Sequence, residues 1–281
     1  MTDPQVVERL LRNESDVAYK RRVRTMVEFL QPSPGERILD CGCGMGFYLK
    51  VLSVIEKAHY FGLDGDARAL RFAQQALDGR GADLVRGDVL HLPYADASFD
   101  KVLLTEVLEH LTDDRQGLAE LRRVLRRGGT LALTVPHRRY SFWYDPINRV
   151  AEGVFGKPIR TGPFAGIWAN HQRLYLPDEL CALLRQAGFE VVECRNLTHY
   201  CFPFTQTIVY TFGKGAIERG LLPEFISRSA HRFRSEENTG SALNPINWML
   251  AVFNAFDRLN VIDTREKETY VSIAVKARRG D

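Results

Sequence analysis

An apolar strand runs into a glycine-dense turn at Ile38-Leu39-Asp40-Cys41-Gly42-Cys43-Gly44-Met45-Gly46-Phe47. Glycines lack the side chain that would hold a ligand off the backbone N–H groups, so this turn implies a nucleotide-like cofactor. The dinucleotide fingerprint is G-x-G-x-x-G, whereas here the third glycine arrives one residue early and Asp40 precedes the loop. A carboxylate at that place repels a pyrophosphate and attracts an ammonium group. Asp64, followed by Gly65, ends the next strand candidate, where a carboxylate can accept from both hydroxyls of a ribose. Asp88, followed by Val89, ends the third, where it can accept from an exocyclic amine. Either acid alone reads as an ordinary capping residue. With the glycine loop, they mark the crevice at the carboxyl ends of parallel strands.

Proton acceptors are expected after the fourth and fifth strand candidates: Glu106, His110 and His137, then Tyr140, Tyr144 and Asp145. His171, Arg173 and Tyr175 precede a later helix. His137 is the first expectation for a catalytic group, because it leaves the fifth strand at the cofactor end; His171 is the second and Tyr140 a further candidate. A hydrogen-bonded structural role is the plainer reading of each histidine. Cys43, inside a loop where size is limiting, reads as a small apolar residue rather than a thiolate. Spacing along the chain shows no convergent carboxylates and histidines, so no metal is expected.

Positioning these residues requires a parallel sheet covered on both faces, and the chain alternates β-branched runs with amphipathic helices in that way. Strands are expected at Arg37–Asp40, Tyr60–Asp64, Asp83–Gly87, Asp100–Thr105 and Thr130–Val135. A helix over Gln116–Leu125 should stop at Gly128-Gly129, and another should run from Pro177 to Gly188. Strands at Phe189–Cys194 and Tyr270–Lys276 follow, the latter expected to alternate Val271, Ile273 and Val275 against polar neighbours. The expected organisation is an N-terminal helical cap over 1–36 and a core over 37–137, 171–199 and 267–279. Two aromatic-rich insertions, 138–170 on the substrate side and 200–266 as a helical lid, follow strands five and six. In the second, Asn244-Pro245 reads as a helix start, with Ile246, Met249, Leu250, Phe253 and Phe256 on one face.

These motifs resemble the class I S-adenosylmethionine-dependent methyltransferases, of the broad small-molecule type. The resemblance covers residues 17–137 and 171–199. It rests on the glycine loop, Leu63-Asp64, the run from Gly87 to Val102, Glu106-Val107-Leu108-Glu109-His110, the run from Leu121 to Pro136 and the run from His171 to Val192. It implies an α/β, Rossmann-like seven-stranded sheet and S-adenosylmethionine as cofactor, with S-adenosylhomocysteine as product. Gly42, Cys43, Gly44, Gly46 and the Asp40 carboxylate would then hold the methionine part, Asp64 and Gly65 the ribose, and Asp88 and Val89 the adenine. Thr105 and Glu106 would lie beside the cofactor, and Tyr19 would close over it or simply pack. Cys43 and Met45 depart from the commoner residues of such loops without blocking binding.

The 281 residues are 45% hydrophobic and 26% charged, enough to build a sizeable core. A net charge of +3 is too even for a nucleic-acid binder. No apolar run approaches the ~18 residues of a membrane span, and the amino terminus does not read as a signal peptide. The five cysteines lack paired spacing, which suggests reduced thiols in the cytoplasm. The expected activity is methyl transfer to a small, mostly apolar acceptor, with oxygen the first expectation for the accepting atom. The alternative is a non-catalytic cofactor-binding or scaffold protein whose aromatic insertions meet a protein. The stretch 203–235, basic by five Lys and Arg against two Glu and rich in aromatics, also suits peripheral contact with an anionic membrane.

Overall fold

The computed structural model describes residues 4–77, 79–204, 233, 245–263 and 265–281. Asn244, the basic aromatic stretch around Tyr210, Phe212, Leu221, Leu222 and Phe225, and the side chain of Ile246 lie outside the described residues.

A seven-stranded sheet carries the fold, in the order β3-β2-β1-β4-β5-β7-β6. Its strands are β1 (Arg37–Cys41), β2 (His59–Asp64), β3 (Ala82–Arg86), β4 (Phe99–Thr105), β5 (Leu125–Pro136), β6 (Phe189–Leu197) and β7 (Ser272–Arg279). The first five pair in parallel, and β7 lies antiparallel between β5 and β6. The chain leaves β1 toward β2 on one side and reaches β4 on the other. The carboxyl ends of β1 and β4 therefore flank the topological switch point, where open sheets form a crevice.

Helices cover both faces. On one side, α5 (Asp114–Val124) and α7 (Pro177–Gln186) pack Leu118, Leu121, Leu180 and Leu184 onto Leu104, Leu133 and Val275. On the other, α1 (Pro4–Leu10), α2 (Val17–Leu30) and α3 (Phe47–Ile55) pack Leu10, Met26, Phe29, Leu49 and Leu52 onto Ile38, Leu103 and Ala274. Helix α4 (Ala67–Leu77) flanks β2 and β3; α6 (Pro146–Phe155) and α8 (Pro245–Ile262) belong to the two insertions.

The structure corrects three local expectations. Gly128-Gly129 does not end the helix: α5 stops at Val124, because Leu125 is already extended and buried, and Gly128 (φ +70°) sits in an irregularity of β5 where the register with β4 shifts. Strand β6 continues to Leu197. Strand β7 begins at Ser272, and its apparent alternation does not mark a solvent face. With a strand on either side and helices on both faces, Ile273, Ala274 and Val275 are all buried.

The described parts of the second insertion are tied to the core. Leu250 and Phe253 of α8 are buried, Phe202 packs on Phe253 and Phe256, and the helix lies against α2. Asp257 pairs with Arg21 and Arg24, and Asn254 accepts from Lys20 at 2.9 Å.

Candidate functional site

The glycine loop closes over the end of β1. Gly42, Gly44 and Gly46 all have positive φ, and a Cβ on Gly42 would stand 2.3 Å from Val107 Cγ2, so only glycine fits there. Above Gly44 no atom lies within 4 Å of where a Cβ would be, so that side of the loop is uncrowded. The N–H groups of Gly42 and Cys43 both donate to the Leu63 carbonyl, at 2.7 and 2.9 Å, fixing the loop on β2. The Cys43 thiol is buried and its pKa is pushed far up by that burial, so it acts as apolar packing.

Asp40 has no solvent exposure, and neither carboxylate oxygen meets a hydrogen-bond donor. Burial, with Asp64 nearby, raises its pKa from 3.8 to about 8. A carboxyl group kept in that state at the mouth of a glycine cradle lacks a cation or donor, and an amino acid's ammonium group supplies one. The cradle and this acid fit S-adenosylmethionine.

Asp64 accepts from Gly44 N–H and Asp66 N–H, both at 2.8 Å, so it braces the loop and keeps further lone pairs for hydroxyls. Gly65 is exposed beside it. Asp88 is exposed and accepts from Leu90 N–H at 2.9 Å, while Val89 is buried. Tyr19 packs at a tilt on Phe47 and Tyr48, with ring centroids 5.7 and 5.9 Å away, at the start of α3. Phe233, the lone described residue between 204 and 245, also packs on Phe47, at 5.5 Å.

After β4, Thr105 is half-buried, and Glu106 adopts φ +54°, a conformation costly for a residue with a side chain. Arg22 from α2 donates to Glu106 Oε2, while Oε1 is buried without a partner. One turn on, the Glu109 carboxylate is fully buried with no hydrogen-bond partner on either oxygen. Its pKa is pushed well up by burial and by Glu106. His110 Nε2 and His171 Nε2 lie 3.9 and 3.8 Å from Glu109 Oε1. Sequence spacing hid this convergence, since positions 110 and 171 lie far apart along the chain, and the expectation that no such cluster forms is overturned. Arg22 and Glu109 were not singled out either. The signal for Glu109 was its place three residues after Glu106 in a helical turn; nothing in α2 marked Arg22 among its other cations.

The other candidate bases have structural partners. His137 is buried and its Nδ1 accepts from Arg139 N–H at 2.9 Å, which puts the ring proton on Nε2 and leaves no lone pair to receive another. Burial holds its pKa down at about 4. Tyr140 is fully buried and donates to Glu152 Oε2 at 2.9 Å, and burial pushes its pKa far up; it is a packing residue rather than an acceptor-site group. Asp145 caps α6 through Asn148 N–H and also accepts from Ile167 N–H at 2.9 Å. Arg173 and Tyr175 both meet Asp114, at 3.0 and 2.9 Å. His171 alone of the first two choices faces other site residues. Its pKa is lowered to about 4 by burial and by His110.

Comparison with known proteins agrees with this geometry. A methyltransferase domain model matches residues 39–133. A demethylmenaquinone methyltransferase of Clavibacter sepedonicus is 33% identical over 59% of this chain and 71% of its own. A methyltransferase of Streptomyces halstedii is 33% identical over 69% of this chain and 67% of its own. An O-methyltransferase of Penicillium expansum is 29% identical over 65% of this chain, which spans 62% of that relative's length. Among solved structures, the cyclase SpnF aligns with a TM-score of 0.56 at 20% identity, over 92% of this chain and 80% of its own. Phosphoethanolamine N-methyltransferase 2 of Haemonchus contortus, in complex with S-adenosyl-L-methionine, aligns with a TM-score of 0.56 at 15% identity, over 94% of this chain and 53% of its own. These two establish the fold alone. The domain match and the relatives, joined to a glycine cradle with a buried acid beneath it, identify the chain as a member of the class I S-adenosylmethionine-dependent methyltransferases.

Proposed function

We propose that this enzyme methylates an oxygen of a small, mostly apolar acceptor. The observation that carries the reading is where the two insertions meet. Phe142, Trp143 and Phe204 are 46, 52 and 45% exposed, and Phe204 N–H donates to the Trp143 carbonyl at 2.9 Å. Exposed aromatics held together beyond the end of β5 suit an apolar ligand. Oxygen as the accepting atom is supported by the name of the Penicillium relative.

S-adenosylmethionine supplies a methyl group already activated on a sulfonium, so the protein's task is alignment, exclusion of water and handling of the acceptor's proton. In this reading the Gly42–Gly46 backbone and Asp40 hold the amino acid portion, Asp64 the ribose, and Asp88 with Val89 the adenine. Tyr19 and Thr105 border the cofactor, and the group around Glu106, Glu109 and His171 handles the proton. Segment 200–266 caps the acceptor, since α8 is seated on α2, the helix that brings Tyr19 and Arg22 to the site.

Incubation with S-adenosylmethionine carrying a labelled methyl group and a cell extract, then separation by polarity, tests the reading. Label should appear as a methyl ether in the apolar fraction. Label confined to polar products, or attached to carbon or nitrogen, would contradict it.

A further inference from the structure

Glu109 stands out among the buried groups. A carboxylate with no exposure and no hydrogen bond is costly unless something positive meets it. Facing its Oε1 are two imidazole Nε2 atoms at 3.9 and 3.8 Å, beyond hydrogen-bond range. One ligand atom from each of Glu109, His110 and His171 lies within 4.8 Å of the others. The centre of a triangle with such sides is about 2.3 to 2.5 Å from each corner, a few tenths of an ångström longer than zinc–ligand bonds. Small side-chain movements would close that gap.

One of the two imidazoles, His110, is oriented by an outer hydrogen bond, while Nδ1 of His171 is buried without a partner. His110 Nδ1 lies 3.0 Å from the Asn170 carbonyl, a bond in which Nδ1–H donates and the Nε2 lone pair is left facing Glu109. Such an outer bond orients metal-ligating imidazoles. Asn170, just before His171, has φ +62°, and Glu106 has φ +54°, so strained backbone brackets both loops that bring in the ligands. Glu106 Oε1, buried and without a partner, is a neighbouring carboxylate oxygen.

We propose that Glu109, His110 and His171 bind a divalent first-row transition ion, with Glu106 beside it, and that the ion takes the acceptor oxygen at an open position. Two imidazoles and a carboxylate favour zinc, iron, cobalt or manganese over magnesium or calcium, which prefer all-oxygen sites. Methyl transfer in this family needs no metal. Ion binding stands independently of the acceptor; its role rests on the O-methylation reading. There the ion lowers the pKa of the acceptor hydroxyl, whose proton leaves by way of Glu106 to water. The O–CH3 bond then forms as the S–CH3 bond breaks, and the sulfonium becomes a neutral thioether, with no change of oxidation state.

The test uses the full chain, stripped with a chelator and titrated with Zn2+, Mn2+ or Co2+, with metal analysis and the cobalt absorption spectrum as readouts. The expected result is about one ion per chain, with affinity reduced by roughly tenfold or more in Glu109→Gln and His171→Ala. S-adenosylhomocysteine affinity should stay within about threefold in both variants, which reports an intact fold and cofactor site. If Glu109→Gln fails to fold, His110→Ala, at an exposed position, carries the same expectation. No ion bound at saturating concentration, or variants that bind as tightly as the parent, would overturn the site. An ion that binds but whose removal leaves methyl-ether formation unchanged would overturn its role with the acceptor.

Discussion

Asp40 ties the stability of the fold to pH. Its folded-state pKa, about 8, lies above the ordinary carboxylate value, so the folded chain keeps a proton that the unfolded chain has lost. Its contribution to stability is complete below pH ~4 and is lost as pH rises through about 8. Asp40→Asn should flatten that part of the stability profile, as measured by denaturant titration across pH. Asp64→Ala removes acceptors from both Gly44 N–H and a ribose, so cofactor affinity should fall by roughly tenfold or more by calorimetry. Unchanged affinity would reduce Asp64 to a strand-end acid. Tyr140→Phe leaves Glu152 with one donor fewer and should cost about 1 to 3 kcal/mol of stability while turnover per folded molecule is kept. A large loss of turnover at unchanged stability would restore Tyr140 to the acceptor site. The glycine turn and the acids at the ends of the first strands were legible in the sequence because local spacing marks such positions. The hydrogen bonds of His137 with Arg139 and of Tyr140 with Glu152 were not, since no spacing encodes them.

Among the elements, α8 tests whether the insertion is seated or loose. Phe253, buried against Phe202, should cost about 3 kcal/mol when replaced by Ala, whereas Trp248→Ser, at a largely exposed position, should cost little. Equal effects in denaturant titrations would mean that the helix is not held by this face. The ion pairs of Asp257 with Arg21 and Arg24 add no more than ~1 kcal/mol each, so the apolar face dominates. That face was legible from its helical periodicity, with Leu250 and Phe253 buried as the spacing implies. The ends of α5 and β7 were read less well. Gly128-Gly129 suits a helix stop and a strand irregularity equally, and period-two alternation does not reveal that a strand is covered on both faces.

At the scale of the whole molecule, the sheet order brings the carboxyl ends of β1, β2 and β4 together, and Phe204 meets Trp143 beyond the end of β5. No described helix is long and apolar enough to cross a membrane. The account therefore separates a cofactor half from an acceptor half. Replacing residues 205–244 by a short linker should leave cofactor binding within a few-fold and abolish methylation of the acceptor; retained turnover would remove the lid from the account. The seat of the cofactor is the central claim, and calorimetry of S-adenosylmethionine binding at pH 7 in buffers of different ionisation enthalpy tests it most directly. The buried acid, protonated when alone, must give up its proton to pair with the ligand's ammonium group. Binding should release about one proton per chain, and Asp40→Asn should abolish that release and weaken binding roughly a hundredfold. Equal affinity and equal proton release in the parent and the variant would contradict the placement of the cofactor over Asp40.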